Sequence, residues 1–160
     1  MTTPNEKLAR AYIDLVEINK SANKGYQEAA SGVSTPQIKT ELKHLADQRA
    51  QFASELAQQA SRFGVKTDTK MTVESSFTNV ASTVQRNWMN VKTAVSGHNE
   101  AVILNECETV DTTALKAYDM ALKEPDLPQP VKQVIEQQRN QIVSAKNTLS
   151  QLKNQAKSNR

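Results

Sequence analysis

Cysteine is nearly absent from this 160-residue chain: the single Cys107 excludes an internal disulfide. Its place on the apolar side of a predicted helix makes a buried, inert thiol the expectation, because thiol reactivity needs exposure and an electropositive setting. Aromatic residues make up only 4%, and the basic residues are spread among acidic ones, so neither stacking rings nor a dense cationic face are available for nucleic acid. No apolar run approaches the roughly 20 residues that cross a bilayer. The start, Met1-Thr2-Thr3-Pro4-Asn5-Glu6, has neither the basic beginning nor the apolar core of a signal peptide, which predicts a cytoplasmic protein with no membrane contact. There is no Gly-rich phosphate loop, no strand-like alternation and no tandem repeat. The net charge of +3 is weak, and only the end, Lys153 to Arg160, is distinctly basic, as suits a helix C-terminus.

What is present is the vocabulary of helices: Ala, Gln, Lys, Glu and Leu recur, with just 4 Gly and 5 Pro. The length fits one domain, residues 1–160, around a single core. Thr3-Pro4-Asn5-Glu6 reads as a capping box with proline at the first helical position, and Thr35-Pro36 repeats the cap and proline. Five helices are predicted over about residues 4–30, 36–62, 73–95, 99–123 and 128–155, with Val65 to Met71 as a polar connection. Breaks fall at Gly32, Gly64, Ser96-Gly97 and the Pro125-Asp126-Leu127-Pro128-Gln129-Pro130 segment.

Apolar residues recur at helical spacing in each: Leu8, Tyr12, Leu15, Ala22, Tyr26 and Ala29; Ile38, Leu42, Leu45, Phe52, Leu56 and Phe63; Phe77, Val80, Val84, Trp88, Val91 and Val95; Ile103, Cys107, Val110, Ala114, Tyr118 and Ala121; Val131, Ile135, Ile142, Ala145, Leu149 and Leu152. Short linkers force the first and last helix pairs into antiparallel hairpins. Two hairpins joined by a long crossover that contains a shorter fifth helix predict an all-α, ferritin-like four-helix bundle.

Four stripes carry one polar residue among their apolar ones: Asn19, Arg49, Asp111 and Gln138. A guanidinium inside a core stripe is costly unless paired. Asp111 is its expected partner, with Asn19 and Gln138 meeting the remaining donors and acceptors in a structural polar layer. Asn19 and Arg49 lie about equally far from the hairpin turn and are expected at one height.

Metal chemistry in such bundles needs bridging carboxylates and Glu-x-x-His pairs from facing helices. Glu41-Leu42-Lys43-His44 has that spacing, but the helical step puts Glu41 at the edge of the stripe and His44 outside it. Glu106 and Glu108 flank the fourth stripe. A metal site of iron or manganese would draw on Glu41, His44, Glu106, Glu108 and Asp111, and it is incomplete on at least two helices. Glu136 points outward and is followed by Arg139 where a histidine is wanted. His98 sits after Gly97, where a capping or surface role is expected.

Several segments together resemble a bacterial family of ferritin-like four-helix-bundle proteins catalogued as a domain of unknown function. They are Gly25-Tyr26-Gln27-Glu28-Ala29-Ala30, the run Gln48 to Leu56, Arg86-Asn87-Trp88-Met89-Asn90-Val91-Lys92, and Glu106-Cys107-Glu108 followed by Ala117-Tyr118. The resemblance covers nearly the whole chain and implies the fold and a bacterial setting, with no established reaction. It also implies acidic residues in the stretch Glu106 to Thr112 and often a histidine where this chain has Lys146, a departure that weakens metal binding. The function expected is a non-enzymatic helical scaffold or interaction protein, of a stress-associated kind, with no cofactor. It would work through an unknown protein partner or as a homodimer through the Trp88 helix, whose stripe must be covered. The alternative is di-metal binding or oxidation, and a weaker third is nucleic acid or an anionic surface bound by the basic tail.

Overall fold

The structure, a computed structural model, describes residues 4–62, 64, 78–125 and 127–158. Those residues form five α-helices and no strand: α1 (Pro4–Ser31), α2 (Pro36–Arg62), α3 (Thr78–Ser96), α4 (Glu100–Leu122) and α5 (Gln129–Ser158). The last helix runs on to Ser158, beyond the expected end. The Thr3 cap, Phe63, Val65 to Met71, Phe77 and the expected start of the third helix at 73 lie outside the described residues, as do the side chains of Leu8 and Val80.

The helix boundaries follow the local chemistry. Pro36 opens α2, and the Thr35 carbonyl accepts the Lys39 N–H at 3.0 Å. Asn99 caps α4 by accepting the Val102 N–H. Past the end of α3, His98 adopts φ 52°, a left-handed conformation that closes the helix while its N–H donates to the Val95 carbonyl. His98 thus ends α3 through its backbone and leaves the capping of α4 to Asn99.

Cross-helix pairs and the short turn between the first two helices fix the directions. Asn23 donates to the Ala46 carbonyl across that turn, so α1 and α2 are antiparallel. The pairs Tyr26–Asp111 and Asn19–Tyr118 step in opposite senses along α1 and α4, which makes these antiparallel too. Tyr118–Gln138 and Glu108–Lys153 do the same for α4 and α5. Helices α1, α2, α5 and α4 therefore form a ring of four in which α2 and α4 are diagonal, and α3 lies outside against α1 and α4.

One apolar cluster threads the bundle, including Leu15, Leu42, Leu56, Ile103, Ile142 and Leu149, each with no exposed surface. Burying each such side chain contributes about 1.5–3 kcal/mol. Close approach of α3 to α1 depends on Gly25: a β-carbon there would overlap the Trp88 ring. That ring in turn meets Tyr26 edge-on, with centroids 5.1 Å apart.

A second tie holds the top of the bundle. The Glu100 carboxylate accepts the Thr35 N–H at 2.8 Å, the Ser34 N–H at 3.0 Å and the Thr35 hydroxyl at 2.7 Å, clamping the α1–α2 turn to the start of α4. Burial alone would raise the pKa of this carboxyl, but the donors from Thr35 and Ser34 outweigh burial and hold it below the ordinary value. The unfolded chain then takes up the proton first as pH falls, so the stabilisation is full above the ordinary carboxylate range and is lost as pH drops through the folded value.

Two outcomes follow for stability. Glu100→Gln should melt lower than the parent at neutral pH, with the difference shrinking as a melting series is carried into the acid range. Gly25→Ala should cost about 1–3 kcal/mol through overpacking and should change the Trp88 fluorescence, both readable in one urea titration.

Candidate functional site

The apolar stripes of α1, α2, α4 and α5 converge on a polar centre. Arg49 from α2 is 1% exposed and Asp111 from α4 is fully buried. Helical side chains lean toward the N-terminus of their helix, so Arg49 points toward the hairpin turn and crosses the bundle diagonal. Its Nη1 donates to Asp111 Oδ1 at 2.8 Å and its Nη2 to Oδ2 at 3.0 Å, a two-pronged ion pair. The Tyr26 hydroxyl donates to Asp111 Oδ2 at 2.7 Å, and the guanidinium carbon stands 5.2 Å from the Tyr26 ring centroid. Arg49 Nε donates to Gln48 Oε1 at 3.1 Å, which completes the shell.

About two turns away along α1 and α4 lies a second group built around Tyr118. Asn19 Nδ2 donates to the Tyr118 hydroxyl and to the Leu15 carbonyl, both at 2.8 Å. Tyr118 donates to Gln138 Oε1 at 2.7 Å, and Gln138 Nε2 reaches the Phe52 carbonyl and Glu55 Oε2 at 3.3 Å. Asn19 and Gln138 are thus joined through Tyr118, while Tyr26 and Gln48 complete the Arg49–Asp111 pair. Asn19 Oδ1 and the Tyr12 hydroxyl are buried with no hydrogen-bond partner.

The electrostatics make this centre chemically quiet. Burial opposes the charge on Arg49, yet Asp111 beside it holds the guanidinium protonated beyond its ordinary range. Burial, reinforced by the Asp111 charge, pushes the Tyr26 phenol well up, and burial raises Tyr118 against the hydrogen bond from Asn19. Both phenols stay neutral at physiological pH. Cys107 is free and fully buried, and burial, with Asp111 next in weight, raises its thiol well above the ordinary value. None of these groups is primed as a base or nucleophile.

The residues considered for a metal are dispersed. Glu41 is half-buried on α2 and His44 is exposed there. Glu106 and Glu108 are half-buried on α4, and Glu108 Oε2 receives Lys153 Nζ at 3.0 Å, which also engages the foremost cation of the basic tail. Asp111 has both oxygens committed to Arg49. Among the described residues no three His, Cys, Asp or Glu side chains group closely enough to hold a metal ion. The donor set does not fit a di-metal centre: the carboxylate at the middle is already neutralised by a fixed cation.

Sequence reasoning missed Tyr26 and Tyr118 as members of the polar centre, and with them Gln48 and Glu55. A signal was available, because a fully buried tyrosine needs a partner for its hydroxyl. A further buried polar contact, Asn87 Nδ2 to the Thr113 hydroxyl at 3.0 Å, ties α3 to α4 and leaves no trace in the periodicity.

Among known protein families, the one described as Domain of unknown function (DUF2383) matches residues 8–124, which includes Tyr26, Arg49, Asp111 and Tyr118 but not Gln138. No curated protein and no solved structure matches the chain. No helix among the described residues is long and apolar enough to cross a membrane.

Arg49→Met is expected to cost about 3–5 kcal/mol, because Asp111 would be left as an unpaired buried charge. Arg49→Met combined with Asp111→Asn should recover part of that loss, since the amide oxygen introduced at position 111 carries no charge and still accepts from Tyr26. Urea denaturation of the two single variants and the double variant measures the coupling. A value within the ~0.5 kcal/mol scatter of independent sites would contradict the pair.

Proposed function

The chain belongs to the family described as Domain of unknown function (DUF2383), and from that premise we propose that it is a ferritin-like four-helix bundle that works as a non-enzymatic scaffold or interaction protein. The observation that carries this reading is the two-pronged contact between Arg49 and Asp111, with a 2.8 Å Nη1–Oδ1 distance and exposures of 1% and 0%. Di-metal bundles place carboxylates from all four helices at their middle and fill the space between them with cations. Here a guanidinium takes that place. It is held by Asp111 and Gln48 and lies over Tyr26, so a divalent ion would have to displace a group secured on several sides.

The ring of α1, α2, α5 and α4 with a connecting α3 supports the ferritin-like arrangement. Two antiparallel hairpins joined through a segment that travels back along the bundle give that connectivity. With the centre closed by its own hydrogen bonds, whatever this protein recognises must meet its outer surface.

The test is metal retention. Protein purified without a metal-affinity tag would be incubated anaerobically with ferrous and then manganous ions, desalted and measured by mass spectrometry. Retention well below one ion per chain is expected. About two ions per chain, the number a di-metal bundle holds, would overturn the reading, and their loss in Glu108→Ala or His44→Ala would locate them.

A further inference from the structure

Among the described residues, the outer surface has a groove in which an exposed apolar side chain and unpaired charges of both signs coincide. It lies between α1 and α3, has a volume of about 310 Å³, and is lined by Gly25 and Trp88 with Ser21, Glu28, Met89 and Lys92 around them. Met89 is 67% exposed, the most exposed large hydrophobic side chain among the described residues. Trp88 beside it is only half-buried. Glu28 and Lys92 are both exposed, and neither has an ion-pair partner among the described residues.

Helices α1 and α3 run parallel in a register that the glycines fix. Gly25 abuts Trp88 and Gly32 abuts Val95, so the α3 residue is 63 positions further along in both pairs. Ser21, Lys24, Gly25 and Glu28 therefore stand at the heights of Gln85, Trp88, Met89 and Lys92, to within a residue. The two walls of the groove are complementary, level by level.

Resting on the reading that this protein acts through its surface, we propose that the α1–α3 groove docks a second copy of this chain about a twofold axis running along the two helices. Such an axis lays α1 of one copy over α3 of the other, pointing the same way and at the same height. Met89 of each copy then lies level with the half-buried backbone at Gly25 of the other, beside the Trp88 ring that fills the space over that glycine, and Glu28 of each faces Lys92 of the other. Lys24 meets the Trp88 ring across the axis, a cation over an aromatic face, and Ser21 meets Gln85, hydroxyl to amide. The charge pattern favours a like surface over a foreign one. An anionic partner would be repelled by Glu28 and a cationic one by Lys24 and Lys92, whereas the same surface turned about the twofold satisfies all of them.

The test is a charge exchange read by light scattering and sedimentation across a concentration series. The parent should weigh two chains. Glu28→Lys sets two ammonium groups against each other across the axis, the introduced one and that of Lys92. Lys92→Glu likewise sets an introduced carboxylate against that of Glu28, so each variant alone should weigh one chain. Mixed in equal amounts, the two variants should weigh two chains again. In that pair one copy carries two cations and the other two carboxylates, and both contacts join opposite charges. The mixing arm separates a contact between copies from an effect within one chain, since neither variant regains its own partner. Both positions are exposed, and melting curves of the single variants check that they fold. A parent of one chain at every concentration, single variants that stay dimeric, or a mixture that stays monomeric would each overturn this docking. None of these results bears on metal retention, so this proposal and the scaffold reading fail separately.

Discussion

A guanidinium and a carboxylate held 2.8 Å apart in the buried interior set the terms for the rest of this bundle. Helices α2 and α4 are diagonal and not packed against each other. Only a side chain as long as arginine crosses that diagonal, and its planar fork meets both carboxylate oxygens in one geometry. A slide of either helix by one residue would break both bonds and strand two buried charges. The pair therefore fixes register more than it adds stability, because well-packed apolar residues in its place would cost no desolvation.

The neighbouring groups follow from that constraint. Asp111 has lone pairs beyond the two that Arg49 uses, and Tyr26 meets one of them. Tyr26 is held in turn by the edge-on Trp88 ring, which reaches it because residue 25 has no side chain. The centre of the bundle is thus linked to the helix packed outside it. A series of contacts runs from Arg49 through Asp111 and Tyr26 to Trp88, and at its outer end the chain presents its exposed Met89. The polar groups at the centre are engaged with one another, and the exposed apolar side chain and unpaired charges lie at the surface.

The Glu100 clamp plays the corresponding role at the hairpin end. Two helix N-termini, those of α2 and α4, meet there, and each presents unsatisfied N–H groups and a partial positive charge. One carboxylate serves the α1–α2 turn by accepting from Ser34 and Thr35. The Thr35 hydroxyl, which its place before Pro36 marks as a cap for α2, donates to Glu100 at 2.7 Å, and the charge on that acceptor strengthens the bond.

The sequence by itself determined the helices and their buried faces. Proline and glycine punctuation and the 3.6-residue period are local properties, and Leu15, Leu42, Ile103 and Ile142 lie inside because each stripe has only one way to leave water. It also marked Asn19, Arg49, Asp111 and Gln138 as exceptions within those stripes, since polarity on an apolar face is visible without coordinates. Tertiary structure alone decided how these groups combine. Tyr118 gathers Asn19 and Gln138, and Tyr26 with Gln48 completes Arg49, because hydrogen-bond partners are chosen by distances between helices that periodicity does not encode. The placing of Trp88 over Gly25 and the levelling of Glu28 with Lys92 belong to the same class: they depend on the angular setting of α3 against α1. Spacing along one helix says which way a residue faces, and only packing says what it meets.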